Sequence, residues 1–266
     1  GAIIDAPSTV VSGNASMPDV HGDVEFRNVT LAYDGHTQVL SDVSFRINEG
    51  QSLGIVGSVG SGKSSIIGLL PRNYDVSAGG VYVDGVDVRD VSLSDLRANI
   101  AVVPQESFLF SETIRENIRF GRPTASDDEV RRAAEIAQLP TDISTLPDGF
   151  DTVVGERGVT LSGGQKQRTS LARAIVSDPK ILILDDALSA VDASTEDRIL
   201  AGLDEVMRGR TTIIVSHRIS TVQRCTNILV LDNGRVVEHG SHAELLQRKG
   251  QYFDMYERQQ LEQQLS

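Results

Sequence analysis

Residues Gly57 to Ser65 read GSVGSGKSS and constrain the fold more than any other stretch of the chain. Gly57, Gly62, Lys63 and Ser64 occupy the fixed places of G-x-x-x-x-G-K-[ST], with Ser58, Val59, Gly60 and Ser61 between them and Ser65 following. The apolar run Ser52–Val56 leads in, and Ile66, Ile67, Leu69 and Leu70 follow at helical spacing. This strand–loop–helix setting is what a phosphate-binding loop requires. Its glycines let the backbone curl so that successive N–H groups point inward, and the helix start adds partial positive charge. Lys63 is placed to reach β- and γ-phosphates, and the Ser64 hydroxyl to ligate Mg²⁺. A chance glycine-rich turn before a lysine would lack the flanking strand and helix.

Composition narrows the partners. The chain has 266 residues, 39% apolar and 23% charged, as soluble globular proteins do. A formal net charge of −12 leaves no basic face for nonspecific nucleic-acid binding. No apolar run approaches the roughly 20 residues of a membrane span, and the opening residues lack the charged and apolar regions of a signal peptide. The single cysteine, Cys225, excludes an internal disulfide and reads as a small buried hydrophobe on a helix. The sequons at Asn14 and Asn28 carry no meaning in a cytosolic protein.

Residues 1–22 show no period and read as a linker, the remnant of a connection to something upstream. From Val24 the texture alternates: Val24–Tyr33, Val43–Ile47 and Val81–Val88, with a turn at Asp84-Gly85, predict half-buried antiparallel strands. Ile100–Val103, Ile181–Leu184, Thr212–Val215 and Ile228–Leu231 are continuously apolar. With the strand before the phosphate loop they predict a parallel sheet buried on both faces. Helical stretches such as Thr195–Met207 lie between them, so the class is α/β with an antiparallel flank. Between about residues 111 and 178 no strand pattern occurs. Ser126–Glu129 is a capping signature before a helix whose Val130, Ala133, Ala134 and Ala137 share one face. Leu161–Gln165 opens another helix, ended by Pro179. A mostly helical subdomain is therefore predicted inside the α/β core. His242–Ser266 predicts helix broken at Lys249-Gly250, its polar end a solvated surface.

The strand Ile181–Leu184 ends in two carboxylates, Asp185 and Asp186. At the C-terminal end of a strand beside a phosphate loop, Asp185 is placed to hold Mg²⁺ and Asp186 to stand nearest an attacking water. About 20 residues earlier, Leu161-Ser-Gly-Gly-Gln165 resembles the signature of ATP-binding cassette (ABC) proteins. Other motifs of that family follow in order. Tyr33 corresponds to the adenine-stacking aromatic, Gln105 to the Q-loop glutamine, Ser189–Asp192 to the D-loop, and His217 to the switch histidine. Val154-Gly-Glu-Arg157 resembles a segment of exporters rather than importers.

The resemblance covers residues 23 to 245 and implies a P-loop (RecA-like) parallel-sheet core, an N-terminal antiparallel β subdomain and an inserted α-helical subdomain at about 111–178. Residues 246–266 remain as a C-terminal helical tail. ATP and Mg²⁺ are the implied cofactors: Tyr33 and Gly57–Ser65 for the nucleotide, Ser64, Gln105 and Asp185 for the metal, and Asp186, His217 and Gln105 for catalysis. Ser162, Gly163, Gly164 and Gln165 would act on the nucleotide of a second such domain, paired head to tail. The implied protein is an ATPase driving an exporter of multidrug or lipid-like substrates, at the cytoplasmic face of the membrane, with transmembrane domains lying outside these 266 residues. The competing readings are a soluble non-transport ABC ATPase and an ATP-gated dimerisation module. One position departs from the pattern: efficient members place Glu where this chain has Asp186. The two carboxylates differ little in basicity, but Asp is shorter by about 1.5 Å of reach. Slow hydrolysis at this chain's own loop is expected, as in the degenerate half of a bacterial heterodimeric exporter.

Overall fold

The computed structural model describes residues 10–17, 19–33, 37–155 and 159–265. Strands β1 (Val24–Ala32) and β2 (Gln38–Ile47) pair antiparallel, with Phe26 stacked on Phe45 at 4.4 Å between ring centroids. β3 (Ser52–Gly57) runs into the phosphate loop and α1 (Lys63–Leu69). β4 (Ala78–Val83) and β5 (Val86–Asp87) form a hairpin through Asp84 and Gly85, both at positive φ, and complete a four-stranded sheet in the order β2-β1-β4-β5. α2 (Leu93–Ala98) leads to β6 (Ile100–Val103).

The helical insertion follows as α3 (Ile114–Arg119), α4 (Asp127–Ile136), α5 (Pro140–Ile143) and α6 (Gly163–Val176). Ser126 and Glu129 close a reciprocal capping box on α4, and Val130, Ala133, Ala134 and Ala137 are all buried, as the sequence predicts. The chain then returns through β7 (Ile181–Asp185), α7 (Ala193–Met207), β8 (Thr211–Val215), α8 (Ile219–Val222), β9 (Asn227–Asp232) and β10 (Arg235–Gly240) to α9 (His242–Arg248) and α10 (Gln251–Leu265).

The main sheet has the order β10-β9-β3-β8-β7-β6, parallel except for β10 at its edge. Its parallel strands are largely apolar because the two parities of each strand enter different cores. Ile181, Ile183, Ile213, Val215, Leu229 and Leu231 join the core shared with the antiparallel sheet. Leu182, Leu184, Ile214, Ile228 and Val230 join the core shared with the helical subdomain. All five predicted parallel strands are present.

Two expectations need correction. Residues 10–17 are not a loose linker: Ala15 pairs with Val91, its amide donates to Asp90 O at 2.8 Å, and the buried Arg72 guanidinium donates to Val11 O at 3.0 Å. The anchoring is backbone pairing, which leaves no side-chain period to read. Residues 1–9 and 18 of the predicted linker lie outside the described residues. The C-terminal helix breaks at Lys249-Gly250 as expected; Tyr252 is fully buried and the first turns of α10 pack on the core, while the polar run beyond is exposed or half-buried. Cys225 is buried, but in the turn beyond α8 rather than on a helix, and burial pushes its thiol up to about 12.

Candidate functional site

Parallel register brings the chemistry to one edge. Asp185 at the end of β7 pairs with Val215 at the end of β8, and Ile55, two residues before the phosphate loop, pairs with Val215 from the other side. Four strand ends therefore deliver the loop after β3, the carboxylates after β7, His217 after β8 and Gln105 after β6 to the same rim. Such a rim is where open α/β sheets bind ligands.

The loop's glycines answer to its geometry. Gly57 has φ of 153°, and a Cβ there would stand 2.1 Å from Leu231 O, so no side chain fits. Gly62, at φ of 102°, occupies the N-cap of α1 without a side-chain hydrogen bond. By contrast Ser92, Thr113, Ser126, Ser162, Asp192 and Ser241 cap α2, α3, α4, α6, α7 and α9. The first amides of α1 thus stay open to an external acceptor. Lys63 Nζ donates to Gly57 O and Ser58 O, both at 2.8 Å, which folds the ammonium back over the loop. Burial lowers the Lys63 pKa, and Asp186 and Asp185 partly offset that. Val59 is fully exposed at the loop tip, while Ser61 and Ser65 are buried beneath it.

Tyr33 is 55% exposed, meets Tyr74 edge-on at 5.0 Å, and its hydroxyl lies 2.8 Å from Ser65 Oγ. An exposed ring tied to the helix that follows the phosphate loop is suitably placed to stack on a base.

The two carboxylates differ. Burial and the neighbouring Asp186 raise the Asp185 pKa, while a hydrogen bond with the Ser64 hydroxyl and the Lys63 charge partly offset this. A desolvated carboxylate joined to a hydroxyl is an oxygen donor set that fits a hard divalent cation. Asp186 takes φ of 44°, its amide donates to Val215 O at 2.9 Å, and its side chain turns toward His217. Asp186 Oδ1 lies 2.9 Å from His217 Nδ1 and accepts from the His217 amide at 3.2 Å. Gln105 is exposed, and its carbonyl is approached by Gln167 Nε2 at 3.4 Å.

Ser162–Gln165, which resemble the family signature, bond to one another and to Asp142. Ser162 Oγ accepts from the Gln165 amide at 3.2 Å, Gln165 Oε1 accepts from the Ser162 amide at 2.9 Å, and Gln165 Nε2 donates to Asp142 Oδ1 at 3.2 Å. A Cβ on Gly164 would lie 2.8 Å from Ala190 O, whereas one on Gly163 would make only ordinary contact with Ala190. These hydrogen bonds run among Ser162, Gln165 and Asp142, not to residues 57–65. In Val154–Arg157, Val154 is buried and its amide donates to Glu112 O, while Glu156 and Arg157 lie outside the described residues.

Sequence reasoning missed two connectors. Gln167, buried on α6, donates to Ser189 Oγ at 3.0 Å and accepts from the Ala190 amide at 2.9 Å, fastening α6 to the segment Ser189–Asp192. Arg218 pairs with the buried Glu196 and donates to Ser189 O and Val191 O, both at 3.3 Å. A glutamine on the apolar face of α6 was the one available signal. Arg218, beside the more conspicuous His217, offered none.

The fold and this rim define a nucleotide-binding domain. A family model described as "ABC transporter" matches residues 40–189, and the chain belongs to that family. It is 53% identical over 239 residues to the uncharacterized ABC transporter ATP-binding protein YknU of Bacillus subtilis (strain 168), covering 90% of this chain and 41% of that protein. It is 46% identical over 258 residues to the ATP-dependent lipid A-core flippase of Legionella pneumophila (strain Paris), covering 97% and 44%. It is 48% identical over 254 residues to the beta-(1→2)glucan export ATP-binding/permease protein NdvA of Rhodopseudomonas palustris (strain BisB5), covering 96% and 41%. Among solved structures, a bacterial Atm1-family ABC exporter with ATP bound superposes with a TM-score of 0.93 at 45% identity, over 97% of this chain and 46% of that one. The chain therefore spans less than half the length of these relatives. It is an ABC nucleotide-binding domain, homologous to those of ABC exporters, of a family that binds ATP with Mg²⁺. Among the described residues no helix is long and apolar enough to cross a membrane.

Proposed function

We propose that this domain binds and hydrolyses Mg-ATP to drive a membrane exporter from the cytoplasmic face of the membrane, through ATP-dependent head-to-tail pairing with a second nucleotide-binding domain. Its own site turns over slowly. The observation that carries the reading is the convergence of Gly57–Ser65, Asp185, Asp186 and His217 on one rim of the sheet, while Ser162 and Gln165 bond to each other and to Asp142 instead. A site whose second set of donors faces elsewhere calls for another copy to complete it.

In this reading the open amides of α1 and the Lys63 ammonium take the β- and γ-phosphates, and Tyr33 takes the adenine. Ser64, Asp185 and Gln105 would hold Mg²⁺, which supplies neutralisation of phosphate charge when bound. Water attacks the γ-phosphorus as the bond to the bridging oxygen breaks, releasing ADP and phosphate. Because phosphoryl transfer is mainly positioning and charge stabilisation, the reach of Asp186 matters more than its basicity. Its carboxylate is drawn onto His217, and displacements of about 1 Å can cost roughly 10²-fold in rate. An intact signature beside such a base position favours a heterodimeric arrangement, the competent nucleotide being held by the partner. The names of the relatives favour export of lipid-like or glycan substrates.

The nearest competing reading is an ATP-gated dimerisation module, favoured by the Asp186–His217 contact. Steady-state ATPase with and without a matched partner separates the two. Nucleotide binding itself is tested by Lys63→Ala. Removing the ammonium should weaken Mg-ATP affinity by at least about tenfold, with the fold intact by circular dichroism. Unchanged affinity by calorimetry would remove the phosphate-loop assignment.

A further inference from the structure

The loop that carries His217 is held from outside the nucleotide site. Between β8 and α8 the chain has no regular structure, so its position depends on where its backbone groups find partners. The Ser216 amide donates to Ile55 O at 3.3 Å, the His217 amide to Asp186 Oδ1 at 3.2 Å, and the Arg218 amide to Ser216 Oγ at 3.0 Å. The next two groups are met by one side chain of α10. Gln259 Oε1 accepts from the Ile219 amide at 2.8 Å, and Gln259 Nε2 donates to His217 O at 2.5 Å. α8 is a four-residue helix whose N-cap, Arg218, makes no side-chain capping bond. Gln259 supplies that cap from another helix while gripping the carbonyl of the histidine itself.

α10 is placed firmly enough to do this. Tyr252 is fully buried, its amide donates to Glu238 Oε2 at 2.8 Å, and its hydroxyl lies 2.7 Å from His242 Nδ1. Met255 and Tyr256 pack on the same core as Ile219 and Val222. Gln259 then falls on the same helix face about two turns beyond Tyr252. On the loop's other side, Arg218 is tied to the carbonyls of Ser189 and Val191. The His217 side chain, 59% exposed, has its one described polar contact with Asp186, so its aim follows from the backbone beneath it.

We propose that Gln259 is a positioning residue for His217, and that α10 acts through it on the rate of ATP hydrolysis. The proposal rests on the reading of His217 as the switch residue. A primary amide suits the task because it offers a donor and an acceptor on one plane. Leucine has similar volume and neither.

The test compares the isotope-labelled 266-residue chain with Gln259→Leu. Loss of one hydrogen bond should speed amide exchange at Ile219 by about fivefold, and the His217 imidazole resonances should move. Phosphate release should show kcat lowered by about threefold or more with KM for ATP within about twofold, since the groups that bind nucleotide are untouched. Adding Gln259→Leu to His217→Ala should cost nothing further. Gln259→Glu keeps an acceptor for Ile219 and loses the donor to His217 O, so it should protect the amide and still lower kcat. This second variant decides the matter if Gln259→Leu fails to fold. Unmoved imidazole resonances in a folded variant, or a loss that adds fully to that of His217→Ala, would overturn the proposal. A parent chain with no turnover would instead count against the ATPase reading, and the exchange and imidazole measurements would still judge the positioning role.

Discussion

Asp185 and Asp186 are adjacent in sequence yet take different partners, Asp185 the Ser64 hydroxyl and Asp186 the His217 ring. Asp185 is desolvated and repelled by its neighbour, so its pKa is raised in the folded chain. The native state therefore keeps a proton that the unfolded chain has shed once pH passes about 3.9. The penalty of the charged form is absent below that pH, grows up to the raised pKa and is complete near neutrality. Asp185→Asn should accordingly raise the urea midpoint near pH 7, and the advantage should shrink near pH 4. A midpoint lowered near pH 7 would mean that the carboxylate's bond to Ser64 outweighs its desolvation. For Asp186, the reach argument predicts that Asp186→Glu raises kcat by at least about tenfold, roughly 1.4 kcal/mol of barrier. ATP affinity should hold, because Lys63, Ser64 and Tyr33 are unchanged. Adding His217→Ala should return the rate toward that of the parent. Equal rates of phosphate release for parent and Asp186→Glu at saturating Mg-ATP would defeat the reach argument.

Among the elements, α6 is the one whose work is proposed to lie on another chain. Ser162→Arg puts a bulky cation at an exposed N-cap and removes a cap worth about 1 kcal/mol. It should abolish turnover of the partner's nucleotide while leaving ATP affinity at this chain's own loop within about twofold. Loss of binding with turnover spared would reverse the assignment. Gly164→Asp is the poorer probe, because a side chain there collides with Ala190 O and disturbs the D-loop. The strands that set the site were legible in the sequence: continuous apolar runs reported burial on both faces, and the glycine pattern reported the loop. What escaped detection is instructive. β10 is an edge strand, largely exposed, without an apolar run. Residues 10–17 are held by their backbone and by a distant Arg72. Gln259 lies in a Gln/Glu/Arg run where nothing separates it from Gln260 except the helical face set by Tyr252. Contacts made by single polar atoms across forty residues or more leave no period.

At the scale of the whole molecule, the proposed reading makes one chain the source of two half-sites, Gly57–Ser65 on the sheet rim and Ser162–Gln165 at the start of α6. The rim at Lys63 is open at the start of α1, and Ser162–Gln165, on the helical subdomain, bond among themselves and to Asp142. In the proposed head-to-tail pairing a second domain closes both, with ATP as the link between them. Slow turnover then has a physical consequence, since an ATP-bound pair that hydrolyses slowly persists. Sedimentation of the chain at saturating Mg-ATP, alongside Lys63→Ala, tests this most directly. The account predicts a dimer that forms only with ATP, fails to form in Lys63→Ala, and outlasts that of Asp186→Glu as nucleotide is consumed. A dimer indifferent to Lys63, or a chain that stays monomeric with ATP demonstrably bound both alone and beside a matched partner domain, would contradict it.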